Sequence, residues 1–193
     1  MTRQTTLAAI AVGAMAVSAH ADFTAYEDFD AWQDASGPFT TLTFTEFEHG
    51  THLTDQYSEF GATFPNGGMN HFVIEAESFG DGHGLQGQDG TVTIDFDEPQ
   101  AWLGHTHFGL GGIELYDGDE LVYANDDFGA SGGPWFSGVV STDQLFDRAV
   151  LFKPEGSFPV IWVDDITYGI PAPGGVAALA LAGLLGGSRR RRA

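Results

Sequence analysis

Apolar and polar residues alternate along much of the chain with the two-residue period of a β-strand. The clearest case is residues 91–96, where Val92, Ile94 and Phe96 fall on one face and polar residues on the other. Similar short runs, rich in Val, Ile, Thr and aromatic residues, are separated by clusters of Gly, Asp, Asn and Pro, and no sustained helical period is present. The pattern predicts an all-β fold of roughly nine or ten strands.

Turn-forming residues mark where the predicted strands end. An Asp-Gly pair at Asp117 and Gly118, between two alternating runs, predicts a tight hairpin. Residues 78–90, with five glycines and no β-branched residue, and residues 125–134 are predicted to be exposed loops. The expected fold is a two-sheet antiparallel β-sandwich of jelly-roll type. The predicted strands are residues 39–48, 61–64, 71–76, 91–96, 101–108, 113–116, 121–123, 135–140, 146–152 and 159–168.

Residues 1–21 have the organisation of a secretory signal peptide. Arg3 precedes an uncharged apolar centre at residues 7–17, and the small residues Ala19 and Ala21 form a small-x-small cleavage site. The mature chain is therefore expected to begin at Asp22. Residues 22–169 then form one β-sandwich domain of 148 residues, a length typical of a single domain.

Residues 170–193 combine a Pro-x-Pro motif, an apolar run and a cluster of arginines. The apolar run, residues 174–187, holds 14 residues, fewer than the ~20 that a spanning helix needs. A plain membrane anchor is the alternative to a processing signal. The segment is similar to the PEP-CTERM sorting signal of Gram-negative bacteria, although Ala172 stands where that family usually has Glu. The motif residues are Pro171, Ala172, Pro173, Arg189, Arg190, Arg191 and Arg192.

The resemblance of this tail to a sorting signal implies a route of export for the protein. An exosortase would recognise the tail while its helix is transiently inserted in the inner membrane. The protein would then be delivered to the cell surface or the extracellular matrix.

Charge narrows the possible partners of residues 22–169. Two basic and 27 acidic residues give this domain a formal charge of −25. Such a surface repels phosphate backbones and anionic lipid, which argues against nucleic-acid binding and favours cations. Acidity that only confers solubility is the alternative. The absence of cysteine excludes disulfides, thiolate nucleophiles and cysteine metal sites.

The closing predicted strand carries two adjacent acids, Asp164 and Asp165, which alternation places on opposite faces. One carboxylate therefore points toward the packed face, where an unpaired charge is costly. Calcium, which takes six to eight oxygen ligands, would be a suitable partner. The alternative is that both acids are exposed or bonded to backbone amides.

The Val-Asp-Asp-Ile run at residues 163–166 resembles the last strand of secreted jelly-roll modules, among them many carbohydrate-binding modules. That resemblance implies a structural calcium ion held between an acid of an early strand and an acid of the closing strand. In this chain the early acid would be Glu46 or Glu48, and the late acid Asp164 or Asp165.

Two further groups of side chains are candidates for chemistry. Oxygen atoms of Asn125, Asp126 and Asp127 and the indole of Trp135 could bind polysaccharide, although a solvated turn and a buried indole explain them as well. His105 and His107 share a strand face, but two ligands fall short of the three usual in a catalytic metal site, and both are expected to be exposed.

The expected function is therefore an exported, non-catalytic β-sandwich that acts at the cell surface or in the extracellular matrix, binds polysaccharide and is stabilised by calcium. An extracellular glycan hydrolase is one alternative, since 27 acidic residues could supply the two facing carboxylates it needs. A structural matrix protein without a specific ligand is the other.

Overall fold

The computed structural model describes residues 23–65, 70–130, 132–154 and 160–169. Within these ranges, no helix has the length and apolar character required to cross a membrane. The predicted signal peptide, with Ala19 and Ala21, and the predicted tail, with Pro171, Ala172, Pro173 and Arg189 to Arg192, lie outside the described residues.

Two antiparallel sheets form the described part of the chain, which confirms the predicted all-β sandwich. One sheet has seven strands, in the order β1-β10-β7-β12-β5-β4 with β2 also paired to β12, and the other has five, in the order β3-β6-β11-β8-β9. The strands are β1 Phe23–Tyr26, β2 Thr40–Leu42, β3 Ala62–Thr63, β4 His71–Glu75, β5 His83–Gly87, β6 Thr91–Gln100, β7 Trp102–His107, β8 Gly111–Asp117, β9 Glu120–Phe128, β10 Trp135–Ser141, β11 Phe146–Phe152 and β12 Ile161–Gly169.

The main core lies between the two sheets. Val92 and Ile94 are fully buried and Phe96 is nearly so, which confirms the face predicted from their alternation. Their counterparts on the seven-stranded sheet come from β4, β5, β7, β10 and β12, and both sets belong to one apolar cluster. Neighbouring positions on those strands therefore face outward, away from the core.

A short helix, α1 (Phe29–Ala35), covers part of this outer face. Asp28 caps it, because an oxygen of its carboxylate accepts a hydrogen bond from the Ala31 amide at 2.8 Å. The helix buries Trp32 in a second, smaller apolar cluster with residues of β7 and β10. The indole lies against Gly104 and Gly138, where any larger side chain would occupy its place.

Several local features differ from the sequence-based expectations. The predicted strand at residues 39–48 is only three residues long, and the predicted loop at residues 78–90 contains β5. Residues 125–128 continue β9 instead of forming a loop, and α1 and β1 were not expected. The predicted hairpin is confirmed, because Asp117 pairs with Glu120 across Gly118 and Asp119.

The contact between α1 and the sheet leads to a test of the fold. A Cβ atom at position 138 would lie 2.5 Å from Cδ1 of Trp32 and 2.9 Å from Cε1 of Phe136. We therefore expect Gly138→Ala to lower the free energy of unfolding by about 1–3 kcal/mol, the usual cost of overpacking. Urea unfolding of the full chain measures this change. Gly80→Ala is the matched control, because no atom lies within 4 Å of its added Cβ. A Gly138→Ala variant as stable as this control would contradict the position of Trp32.

Candidate functional site

Strand β12 changes partner halfway along its length, and this change creates the site. On one side β12 pairs with β7 from Val163 to Gly169, whereas on the other it pairs first with β5 and then with β2. The register against β7 shifts between Asp164 and Thr167, and Asp165 adopts a left-handed φ of 47°. Such a bulge re-aims side chains. It leaves Asp164 and Asp165 on adjacent parts of the outer face.

The loop at residues 76–82, which connects β4 to β5, brings Asp81 close to Asp164. Hydrogen bonds between its own backbone groups close it, including one of 2.9 Å from the Ala76 amide to the Gly82 carbonyl. The ring of Phe79 lies on Gly84, where a Cβ atom would be 2.6 Å from the ring. Because the loop reaches across the sheet, it brings Asp81 to the two acids of β12.

Asp81, Asp164 and Asp165 form a cluster that we call the acid triad. One carboxylate oxygen of each residue lies within 4.8 Å of the others. Asp81 and Asp165 are exposed, but Asp164 is only 1% exposed. Its Oδ1 atom has no hydrogen-bond partner in the described part of the chain. A buried carboxylate oxygen without a partner is rare and costly.

Burial and mutual repulsion shift the pKa values of the acids in the triad. Burial, with the adjacent Asp165 carboxylate as a second cause, raises the pKa of Asp164 to about 8. Burial also raises the pKa of Asp165, and the Asp81 carboxylate raises it further. The two basic side chains of the domain lie elsewhere. Arg148 contacts the Gly118 carbonyl, and Lys153 donates to the Phe108 carbonyl.

The triad fits a hard divalent cation. Three carboxylates and no nitrogen or sulfur ligand match the preference of calcium for oxygen, and the exposed side leaves room for further ligands. A bound cation would contact the unpartnered Oδ1 of Asp164 and would favour the ionised form of all three carboxyl groups. The residues present therefore suit the calcium ion expected from the sequence.

A groove of about 280 Å³ adjoins the triad on the same outer face. We call it the outer groove. The rings of Phe29 and Phe136 meet nearly at right angles, with centroids 5.3 Å apart, and form an aromatic corner. The remaining lining is polar. It consists of Thr41, Thr106, Thr167 and Asp165.

The predicted early acids are not part of the triad. Glu46 and Glu48 are exposed and line a different, open depression together with Glu75, His49 and His83. The structure brings Asp164 and Asp165 together, although strand alternation predicts them on opposite faces, because the bulge interrupts the alternation. It places Asp81 beside them instead of Glu46 or Glu48.

The residues predicted to bind polysaccharide belong to two different sheets. Asn125, Asp126 and Asp127 lie on β9, an edge strand of the five-stranded sheet, whereas Trp135 begins β10 of the other sheet. Trp135 is 41% exposed, and its indole donates a hydrogen bond to the Ala130 carbonyl at 3.1 Å.

His105 and His107 are buried between the sheets, so the expectation that they are exposed was wrong. Their rings are 5.1 Å apart, and Nε2 of His107 lies 2.6 Å from the Ser137 hydroxyl. Neither ring nitrogen of His105 has a hydrogen-bond partner in the described residues. Burial lowers the pKa of both residues, that of His107 to about 4 with a contribution from Lys153. Both rings are therefore neutral core side chains.

Sequence reasoning missed Asp81 and the aromatic corner. Asp81 stands between two glycines in a predicted loop, and no local pattern distinguishes it from the other acids of the chain. Phe29 had a usable signal, because Asp28 is a favoured helix cap and Phe29 and Trp32 have helical spacing.

Comparison with known proteins finds only distant structural similarities. No protein-family model and no curated protein matches the chain. The K2 cleaved adhesin domain of Lys-gingipain is 12% identical, with a TM-score of 0.45, over 69% of this chain and all of that chain. A mutant of a family 29 carbohydrate-binding module is 14% identical, with a TM-score of 0.43, over 69% of this chain and 92% of that chain.

Another mutant of that module, complexed with mannohexaose, is also 14% identical, with a TM-score of 0.35, over 77% of this chain and 91% of that chain. At these values the similarities define neither a family nor a ligand for this chain.

The buried histidines make stability depend on pH. An unfolded histidine takes up a proton near pH 6.5, whereas the folded His105 and His107 resist protonation until well below that value. The contribution of these two histidines to stability is therefore fully present above about pH 6.5 and is lost as the pH falls, for His107 through about 4. We expect His105→Leu to weaken this loss. At pH 7 it should also raise the free energy of unfolding by about 1–3 kcal/mol, because it removes unsatisfied buried groups.

Urea unfolding of the full chain between pH 7.5 and 4.5 measures both effects. The control is His52→Leu, which changes an exposed histidine outside the core. A wild-type slope retained by His105→Leu would show that His105 does not contribute to the acid sensitivity.

Proposed function

We propose that residues 22–169 form a non-catalytic, calcium-stabilised β-sandwich of jelly-roll type that binds polysaccharide outside the cell. The observation that carries the binding role is the outer groove. It combines an aromatic corner, hydroxyl groups and one carboxylate on a single exposed face.

This lining suits a neutral sugar ring. The apolar faces of a sugar can contact Phe29, which is 40% exposed, while its hydroxyls exchange hydrogen bonds with the threonines and Asp165. Neither Arg148 nor Lys153 lines the groove, so the lining presents no basic side chain to an anionic ligand. A few orienting polar groups beside aromatic surface are typical of small-molecule sites, and the volume is near the lower end of their range.

The same lining favours binding over hydrolysis. A glycosidase needs two carboxylates that face each other across the scissile bond, one acting as acid and the other as base or nucleophile. Among the residues that line the outer groove, Asp165 is the one carboxylate. Its acidic neighbours belong to the triad, where they are suited to hold a cation.

Calcium is proposed as a structural partner of the triad. The supporting observation is the buried Oδ1 of Asp164, which lacks a partner beside two other carboxylates. Calcium would neutralise part of this charge, and Asp81 would tie the 76–82 loop to β12. The ligand set in this proposal is Asp81, Asp164 and Asp165.

Export is proposed from the two ends of the sequence. Residues 1–21 direct the chain across the inner membrane, and residues 170–193 are the substrate of an exosortase-type enzyme that delivers it to the cell surface or matrix. Both arguments rest on the sequence patterns described above.

Calcium should stabilise the folded chain, because a ligand that binds only the native state raises the free energy of unfolding. We expect the melting temperature of the full chain to rise in millimolar calcium and to fall again with EDTA. Asp164→Asn should abolish this response. Asp119→Asn, which changes a fully exposed acid of a turn, should retain it. A calcium-induced rise in melting temperature that persists in Asp164→Asn would contradict the proposed calcium site.

Removal of the aromatic corner should weaken polysaccharide binding. We expect Phe29→Ala to reduce affinity about tenfold, equivalent to a loss of about 1.4 kcal/mol. Affinity electrophoresis in gels with neutral polysaccharides, followed by calorimetry with mannohexaose and cellohexaose, measures the change. The control is Phe60→Ala, since Phe60 is 49% exposed but does not line the groove. Reducing ends released during incubation would instead indicate a hydrolase, and binding unaffected by Phe29→Ala would place the sugar elsewhere.

A further inference from the structure

The acid triad and the outer groove share a residue. Asp165 contributes a carboxylate to the triad and also lines the groove. The two sites are joined a second time across the sheet, because Asp164 is directly opposite Thr106, another residue of the groove lining. A cation held by the triad would therefore lie at one end of the groove.

The position of Asp165 is set by the backbone. Its left-handed φ of 47° lies at the bulge of β12, and its carbonyl accepts a hydrogen bond of 2.9 Å from the Thr167 hydroxyl. Thr167 is itself 2% exposed and lines the groove. Because this backbone segment is fixed on both sides, the carboxylate of Asp165 is held between the triad and the groove.

The triad alone does not complete the coordination of a calcium ion. Calcium takes six to eight oxygen ligands, and three carboxylates supply three to six. Asp164 is buried, whereas Asp81 and Asp165 are exposed, so the remaining positions face the open side. Hydroxyl oxygens of a sugar in the groove are suitable ligands for those positions.

We propose that a cation in the acid triad takes part in ligand binding, with sugar hydroxyls in the outer groove completing its coordination. This inference rests on the proposed polysaccharide-binding function. The effects of the two ligands on each other's affinity are then reciprocal. Calcium strengthens sugar binding, and sugar strengthens calcium binding by the same factor. Couplings of this kind are typically about 5- to 150-fold.

The experiment compares sugar affinity with and without calcium at 20 °C. The neutral polysaccharides and hexasaccharides named above are the probes, and the tightest-binding probe is titrated into the full chain in 1 mM calcium and in EDTA. We expect at least fivefold tighter binding in calcium. A calcium titration followed by melting temperature should show a midpoint lowered by the same factor when the sugar is present.

Two variants separate coupling from simple stabilisation. Asp81 belongs to the triad but does not line the groove, so Asp81→Asn should bind sugar equally in calcium and EDTA, at the weak level of the calcium-free wild type. Phe29→Ala should bind sugar weakly in both conditions yet keep the calcium-induced rise in melting temperature. Asp119→Asn serves as the control and should behave as the wild type does.

The outcomes distinguish failure of the calcium–sugar coupling from failure of the polysaccharide-binding function. Equal sugar affinity in calcium and EDTA, with the wild type folded in both, would overturn the coupling and leave the polysaccharide-binding function in place. Binding of no probe in either condition would overturn both. Loss of calcium dependence in Phe29→Ala together with loss of its thermal response would show that the variant disturbs the triad, which contradicts the separation of the two sites.

Discussion

The backbone hydrogen bonding of β12 constrains the rest of the seven-stranded sheet. This strand pairs with β7 from Val163 to Gly169, while its other side is divided between β5 and β2. Buried backbone groups need partners, so the strand can change neighbour only where its own path is irregular. The bulge at Asp165 provides that irregularity. The bulge also sets the positions of Asp164 and Asp165 on the outer face.

Packing on the outer face depends on small residues at two places. Gly104 and Gly138 leave space for Trp32, and Gly84 leaves space for Phe79. Helix α1 and the 76–82 loop therefore lie close to the sheet, one on each side of the bulge, and the strip between them remains open. The site is thus bounded by apolar contacts, although its own chemistry is polar.

Sequence reasoning predicted the parts of the fold that depend on alternation. β6 and β11 and the hairpin at Gly118 follow from local pattern and turn chemistry. β5 could not be recognised, because its residues His83–Gly87 include two glycines and no β-branched side chain, and pairing with β4 and β12 supplies its order. Helix α1 has only seven residues, too few for a helical period to stand out, and burial of Trp32 stabilises it.

The sequence predicted only part of the candidate site, namely the two acids of β12. Two adjacent acids on a closing strand indicated a buried charge that needs a partner, and the structure places Asp164 in that position. Asp81 is 83 residues earlier in the chain, and only the pairing of β5 with β12 brings it near, so no local signal could identify it. Glu46 and Glu48 were expected as calcium ligands from the resemblance to other modules. Such a resemblance does not specify which loop of this chain lies beside β12.

The acidic residues of β9 lie along a sheet edge, where they affect how copies of the protein meet. This strand forms an outer edge of the five-stranded sheet, and Glu120, Asp126 and Asp127 are exposed along it. An open edge is a template on which the strand of another molecule can add. Like charges on two such edges repel, so copies of this protein crowded together on a surface would resist joining edge to edge into fibres.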